Sequence, residues 1–537
     1  MKTEIISEKE LDGLIERLRQ AKEEQLALTA SDIDLVLNIV LSFSFMQENI
    51  SNTEQYVEKL KKIAGLARQS EKFKDIVGKD KEKPDDKKEK SPRKKPEKPV
   101  IHNTEKHELP AELQKGQRCP ACERGSLKKC EPGVFIRISG NSPLLGTKHL
   151  SERVRCGSCD HYFTAEVSEE VKADGEPGQM YGYSARALMA IYRYFGGLPF
   201  HRQESINHLL GVPVSASTVF NQCEYVSDAL NPVFNHLKKL AGNAISFQVD
   251  DTTNRILNAE TIQKPDRRTG KPRDRKGVYT SGAIAILADS LAIVLFETNI
   301  GHAGEWLDEL LKGRGTNAPP PVIMSDASAS NNPKVLKDYH HSLCNVHARR
   351  GFVEVYKHFP DKVEWFLKKY AIIWDNEEKW KDLPSDKRLS NHAENSLPVM
   401  EEMNSWCIIQ LESKQVEGNS GLGKAMKYFI SHYDGLTMFC RIKGAKLDNN
   451  EMEGTLKLVI RGRKNSLFHK TQPGADVADI LSSVIATCIR SGVNALDYLT
   501  IVQRFSGEVR KNPGEWLPWN YKLALAQHHE NKITIAA

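Results

Sequence analysis

From Ile245 onward the apolar pattern leaves the chain little freedom. "ISFQVDDTT", "GVYTSGAIAILAD" and "LAIVLFETN" are three apolar runs in close succession, followed by "AGEWLDELLKG" with a helical apolar stripe and by "PPPVIMSDAS", a buried run ending in an aspartate. Short runs rich in β-branched residues and bounded by turn formers predict strands, and the intervening stripe predicts an amphipathic helix. The elements thus run as three strands, a helix and a fourth strand.

That order is the order of an RNase H-like mixed sheet, and it has a chemical consequence. Asp250 ends one central strand and Asp326 ends another, so both side chains can reach one edge of the sheet although they are far apart in sequence. Asp251 competes with Asp250, but adjacent strand residues face opposite sides and only one of them can enter the site. A third carboxylate comes from "KLDNNEMEGTLKLVIRGRKN". Asp448 or Asn449 is placed to cap a helix running to about Ile460, and on it Glu453 shares a face with Lys457 and, less closely, with Arg461 and Lys464. Glu451 lies about 200° around that helix and is not interchangeable with Glu453. Three carboxylates at a sheet edge can hold two Mg²⁺ ions, which activate an attacking oxygen and stabilise a leaving oxygen at a phosphodiester.

The rest of the chain divides by composition. Its 537 residues exceed a single comfortable core, so a multidomain α/β protein is expected. Residues 1–76 read as helices, with Leu11, Leu14 and Leu18 on one face and Val57, Leu60 and Ile63 on another, either a short dimerising coiled coil or a small packed unit. Residues 77–108 contain "KDKEKPDDKKEKSPRKKPEKP", almost without apolar side chains, and predict a disordered basic linker. In 109–170, "CPAC" and "CGSC" are two knuckles that together make a four-cysteine zinc site at Cys119, Cys122, Cys156 and Cys159, with "VFIRISG" and "HYFTAEV" as ribbon strands. Cys130 and His149 are the substitute ligands.

Residues 180–243 are helical, and "FHRQESINHLLGVPVSASTVFNQCEYV" outlines a helix ending at Gly211, a turn, and a second helix capped by Ser215 or Ser217. This suits a helix-turn-helix or an ordinary helical pair. The sheet core occupies 244–350 and 445–470, interrupted by a helical insertion over 351–444 that contains "DKVEWFLKKYAIIW" and "LPVMEEMNSWCIIQLESK", and helices close the chain over 471–537. Just before the insertion, "HHSLCNVHARRGF" sets Cys344 and His347 at metal-ligand spacing, followed by Arg349 and Arg350.

Formal net charge is only +6, yet basic residues cluster at Arg93–Lys98, Arg267–Lys276 and Arg461–Lys470, which suggests a polyanion partner. The most apolar run, "DLVLNIVLSFSFM", is too short and too interrupted to span a bilayer. The N-terminus has no basic region leading into an apolar one, so a reducing, cytoplasmic location is expected, with the ten cysteines as thiols or metal ligands.

Together these motifs resemble the bacterial IS66-family DDE transposases of insertion sequences, along nearly the whole chain. "VDDT" is similar to the family's first-aspartate strand, "IMSDASAS" to its second, and "DNNEMEGTLK" with "GRKNSLF" to its glutamate helix. "LPFHRQESI" and "GADVADILSSVIATCIRSGVNALDYL" resemble flanking helical segments, and the four cysteines resemble the zinc-binding region. Gly454, Lys457 and Ser466 depart from the usual arginine, arginine and aromatic.

The resemblance implies catalytic Asp250, Asp326 and Glu453 holding two Mg²⁺ (or Mn²⁺). It implies structural Zn²⁺ on the cysteines, and DNA-backbone contacts by Lys457, Arg461, Arg463, Lys464, Arg349 and Arg350. Its partners would be double-stranded DNA at terminal inverted repeats and target sites, a second copy or more in synapsis, and small accessory proteins of the element, in a nucleoid-associated cytoplasmic setting. The competing readings are a catalytically inactive DNA-binding relic or repressor, and an RNase H-like nuclease without strand joining.

Overall fold

The computed structural model describes residues 8–25, 27–37, 39, 142–155, 162–176, 178–265 and 272–536. Its sheet has five strands: β1 (Ser246–Asn254), β2 (Val278–Ile286), β3 (Ala292–Asn299), β4 (Val322–Ser325) and β5 (His340–Leu343), in the order β3-β2-β1-β4-β5. β1–β2 and β2–β3 pair antiparallel, while β1–β4 and β4–β5 pair parallel. This mixed α/β arrangement is consistent with an RNase H-like core. Three strands fall on the apolar runs, and the fourth ends one residue before Asp326. β5 is an addition: its four residues, "HHSL", carry too little apolar pattern to be read as a strand, and pairing with β4 supplies what local sequence does not.

Helices surround the sheet: α1 (Tyr183–Tyr194), α2 (Phe200–Leu209), α3 (Ala216–Ala241), α4 (Ala303–Leu311), α5 (Asn345–Val355), α6 (Pro360–Trp380), α7 (Leu397–Glu412), α8 (Gly421–Ser431), α9 (Asn450–Ser466), α10 (Gln472–Arg490) and α11 (Ala495–Arg504). α2 ends before Gly211, whose φ of +84° a residue with a side chain rarely adopts. Ser215, not Ser217, caps α3, its side chain accepting the Thr218 N–H at 3.2 Å. α3 then buries Val219, Cys223, Val226, Leu230, Val233 and Leu237 in one core with Phe247, Val249 and Leu295 of the sheet. Each such aliphatic side chain stabilises by about 1.5–3 kcal/mol when fully buried. The second helix of the helix-turn-helix outline is thereby part of the main core.

The outer edge of β3 is closed in a way the sequence did not announce. Val294, Phe296 and Thr298 point their N–H groups away from β2, and α10 meets them with Thr487 Oγ1 at 3.0 Å, Ser483 Oγ at 2.8 Å and Asp479 Oδ2 at 2.6 Å. Every second strand residue advances by nearly the same distance as every fourth helical residue, so the two ladders stay in step. An exposed strand edge thus becomes a satisfied one.

Burial is the main reason the Asp479 carboxyl is pushed up to about 8, with the Thr298 hydrogen bonds opposing. A raised acid is most favourable to the fold below its ordinary value, and that contribution is lost as pH rises through about 8. Asp479→Asn, which cannot ionise, should therefore gain several degrees of Tm relative to the parent between pH 5 and pH 9 (thermal unfolding across that range checks this).

A second core belongs to α5–α8 and their neighbours, built on Phe352, Phe366, Tyr370, Met400, Met403 and Phe429. Phe352 and Phe366 stack at 3.6 Å with 14° between planes. The two segments expected to be helical in the insertion form α6 and α7.

Near the N-terminus the helix Glu8–Glu23 buries Leu14, and Arg17 pairs with Asp32 at 2.9 Å. Tyr162–Thr164, in the second expected ribbon segment, pairs antiparallel with Arg153–Arg155. Cys119, Cys122, Cys130, Cys156 and Cys159, the linker 77–108, Val57, Leu60 and Ile63 lie outside the described residues; His149 is exposed. Among the described residues, no helix is long and apolar enough to cross a membrane.

Candidate active site at the sheet edge

β1 passes from fully buried to half-buried at Asp250, opposite Gly282 of β2. The next residue faces the other way, as the strand period requires. Asp251 Oδ2 lies 2.9 Å from His302 Nδ1 and accepts the Ala303 N–H at 3.4 Å, at the start of α4. Asp250 is left for the cleft. Burial first, and then the charges of Asp326, Glu453 and Asp251, push its carboxyl up to about 7, against a hydrogen bond from the Asp251 N–H. Those influences place Asp326 and Glu453 within electrostatic reach of Asp250.

Asp326 follows the last residue of β4, which runs parallel beside β1. Its Oδ1 accepts the Ser328 N–H at 3.1 Å and the Asn331 Nδ2–H at 2.7 Å. Asn331 is 3% exposed, so the carboxylate is held from behind by a rigid amide.

Glu453 comes from α9, whose start differs from the expectation. The Asn449 side chain does not cap the helix. It is buried and reaches sideways, Nδ2 donating to the Val249 carbonyl at 3.0 Å, next to Asp250, while its own N–H donates to Cys344 Sγ at 3.3 Å. Asp448 closes the preceding turn by accepting the Asn450 N–H at 3.0 Å, and its carbonyl accepts from Gln248 Nε2 at 3.3 Å. Cross-chain ties have replaced a local cap because they fix α9 to β1. Met452 packs under the sheet with Ile284, Val294 and Phe296, which sets the rotation of the helix. Glu453 then faces the cleft, whereas exposed Glu451 lies 3.7 Å from Arg490.

α9 also runs longer than expected, through Ser466 rather than Ile460, so "GRKN" is helical. This decides where the basic side chains go. Lys457 and Lys464 are exposed. Arg461 donates to the Phe195 carbonyl, and Arg463 donates to Thr252 Oγ1 at 2.9 Å and Thr253 Oγ1 at 3.0 Å on β1. The two arginines brace the helix. Arg349, on α5, lies over the Trp374 ring, and Arg350 is half-buried beside it.

Asn345 and Asn331 are positioning residues that sequence reasoning missed, and Asn449 is one that it read as a helix cap. Asn345 donates to the Leu436 and Leu447 carbonyls at 2.9 and 3.1 Å and accepts from Tyr370, joining α5 to the segment that leads into α9. Only the "DNN" run hinted at any of them.

The model of the "Transposase IS66 family" matches residues 178–477, which contain the whole sheet, the second core and α9. The uncharacterized protein y4jD of Sinorhizobium fredii is 30% identical over 76% of this chain and 79% of its own length. A second protein of that organism, uncharacterized y4hP, is 25% identical over 70% of this chain and 68% of its own. With the matched region spanning more than half of the chain, this protein belongs to the IS66 family of transposases.

Proposed function

We propose that the chain cleaves and joins DNA at the ends of its insertion sequence, with Asp250, Asp326 and Glu453 as ligands for two Mg²⁺ (or Mn²⁺). One observation carries this reading: Asp326 and Glu453, from distant parts of the chain, lie within electrostatic reach of the buried Asp250 at the sheet edge. The donors fit the ions. All are carboxylate oxygens, which suits a hard cation that keeps part of its water, and Glu453 Oε1 is buried without a hydrogen-bond partner among the described residues.

When bound, the two ions supply activation of the attacking oxygen and charge neutralisation at the leaving one. The protein's own contribution is positional. Asn331 holds Asp326, Asn449 ties the start of α9 to β1, and Lys457 and Lys464 offer charge to the DNA backbone on the same helix, with Arg461, Arg463, Arg349 and Arg350 supporting that surface. Water would be the nucleophile for cleavage and the freed 3′-hydroxyl for joining, in line with the leaving oxygen and without a covalent enzyme intermediate.

Within this reading, zinc on Cys119, Cys122, Cys156 and Cys159 folds the N-terminal reader of the terminal repeats, and the N-terminal helices serve pairing of two copies. Small proteins of the same element assist, and the working place is the nucleoid in the cytoplasm. Incubating the purified chain with labelled DNA carrying the element's own ends and Mg²⁺ tests it. Nicked ends and joined products are expected. Binding without cleavage favours a relic or repressor, and cleavage without joining favours a nuclease.

Asn331→Ala should leave DNA binding intact and raise the Mg²⁺ needed for half-maximal cleavage by about 10–100-fold, the usual effect of losing a residue that orients a metal ligand. A magnesium titration of cleavage rate measures it.

A further inference from the structure

Beside the carboxylate cleft, Glu453 meets two side chains that cleavage does not use. Cys344 immediately precedes α5, His347 is in its first turn, and Glu453 faces them from α9; one donor atom from each lies within 4.8 Å of the other two. His347 Nδ1 and Glu453 Oε1 are 3.9 Å apart, and each is buried with no hydrogen-bond partner among the described residues.

That separation is too long for a hydrogen bond. It is close to the spacing of two donors on one tetrahedral cation, about 3.3–3.6 Å for bonds of about 2.0–2.3 Å. Two buried polar atoms facing each other without contact are costly unless something sits between them.

The sulfur is prepared as a ligand. Cys344 is 1% exposed, and its Sγ accepts the Asn449 N–H at 3.3 Å. The Val346 and His347 backbone N–H groups also stabilise the thiolate form, so the starts of α5 and α9 both direct donors at one sulfur. A bound cation would displace the thiol proton to solvent as the sulfur–metal bond forms.

We propose that Cys344, His347 and Glu453 form a second metal site, selective for a thiophilic divalent cation of the zinc type, with its fourth position open. Thiolate and imidazole distinguish it from the all-oxygen cleft for Mg²⁺, by softness rather than by size. Glu453 belongs to both sites. A cation on the Cys344 side fixes the Glu453 carboxylate and so couples the two; the coupling, though not the binding, rests on the three-carboxylate reading above.

Cobalt reports this site without any cleavage assay, because Co²⁺ replaces Zn²⁺ and its bond to a thiolate absorbs in the near ultraviolet. The full chain, stripped with chelator, is titrated with Co²⁺ in excess Mg²⁺ and compared with Cys344→Ser and His347→Ala. The wild type should bind one more Co²⁺ per chain than Cys344→Ser, with a correspondingly stronger sulfur band. His347→Ala, which keeps the sulfur, should retain a band at this site only at higher Co²⁺. Equal stoichiometry and equal bands in all three proteins would overturn the site, whatever the four cysteines upstream bind. A wild type that shows the additional cobalt but does not cut DNA would keep the site and overturn only the cleavage reading.

Discussion

Replacing Glu453 by Gln should, on the proposed function, reduce Mg²⁺-dependent strand cleavage by on the order of 10³-fold or more while leaving the fold and DNA binding in place. The size of the effect follows from the proposed role. Glutamine keeps the length and shape of the side chain but gives up one of the charges proposed to hold the cations. Little else should change, because among the described residues Glu453 Oε1 makes no hydrogen bond to be lost. The helix is fixed by other means: Met452 and Leu456 buried under the sheet, Asn449 tied to β1, and Arg463 bound to Thr252 and Thr253. Equal thermal unfolding and equal retention of an end-containing DNA by the two proteins would establish that the loss is chemical. Glu451→Gln is the natural companion. It lies on the exposed side of the same helix near Arg490 and should cut at the parent rate.

The largest effect on stability is expected away from the cleft. Phe366 is fully buried in the second core, stacked on Phe352 at 3.6 Å and edge-on to Phe429 at 5.2 Å. Phe366→Ala removes those contacts and leaves a void that neighbours on four helices cannot all move to fill, at a cost of about 3–5 kcal/mol. In a unit of this size that corresponds to a loss of about 10 °C in the first unfolding transition. Ile409→Ala, exposed on α7, should change it by no more than about 0.5 kcal/mol. Calorimetry resolves the two. The loss should also reach the site, because Phe352 shares α5 with His347, and Asn345 on that helix holds the segment leading into α9.

How much of this could be read in advance depended on whether the signal was local. The three runs of β1–β3 were legible because each carries a buried apolar stretch bounded by turn formers. The strand period says that only one of Asp250 and Asp251 can enter the cleft, and the helix period separates Glu453 from Glu451; the choice of Asp250 and Glu453 came from the resemblance to the family. Asn449 was misjudged for the opposite reason. As a residue before a helix it reads as a cap, yet its partners are the Val249 carbonyl and the Cys344 sulfur, two hundred and about one hundred residues away in sequence. Asp479, Ser483 and Thr487 were equally silent, since polar residues four apart on a helix say nothing of a strand edge until β3 lies against them. Arg461 and Arg463 looked like part of a basic face, but the extra turns of α9 carry them onto the Phe195 loop and β1.

The most direct test of the account exchanges an oxygen ligand for sulfur. Asp326→Cys would be assayed for cleavage of end-containing DNA in Mg²⁺ and then in Mn²⁺, which accepts thiolate more readily. If Asp326 holds a catalytic cation, the variant is inactive in Mg²⁺ and regains activity in Mn²⁺, while the wild type works in both. A variant that cuts in Mg²⁺ at the wild-type rate would contradict the account, because a thiol would then be doing the work assigned to a carboxylate.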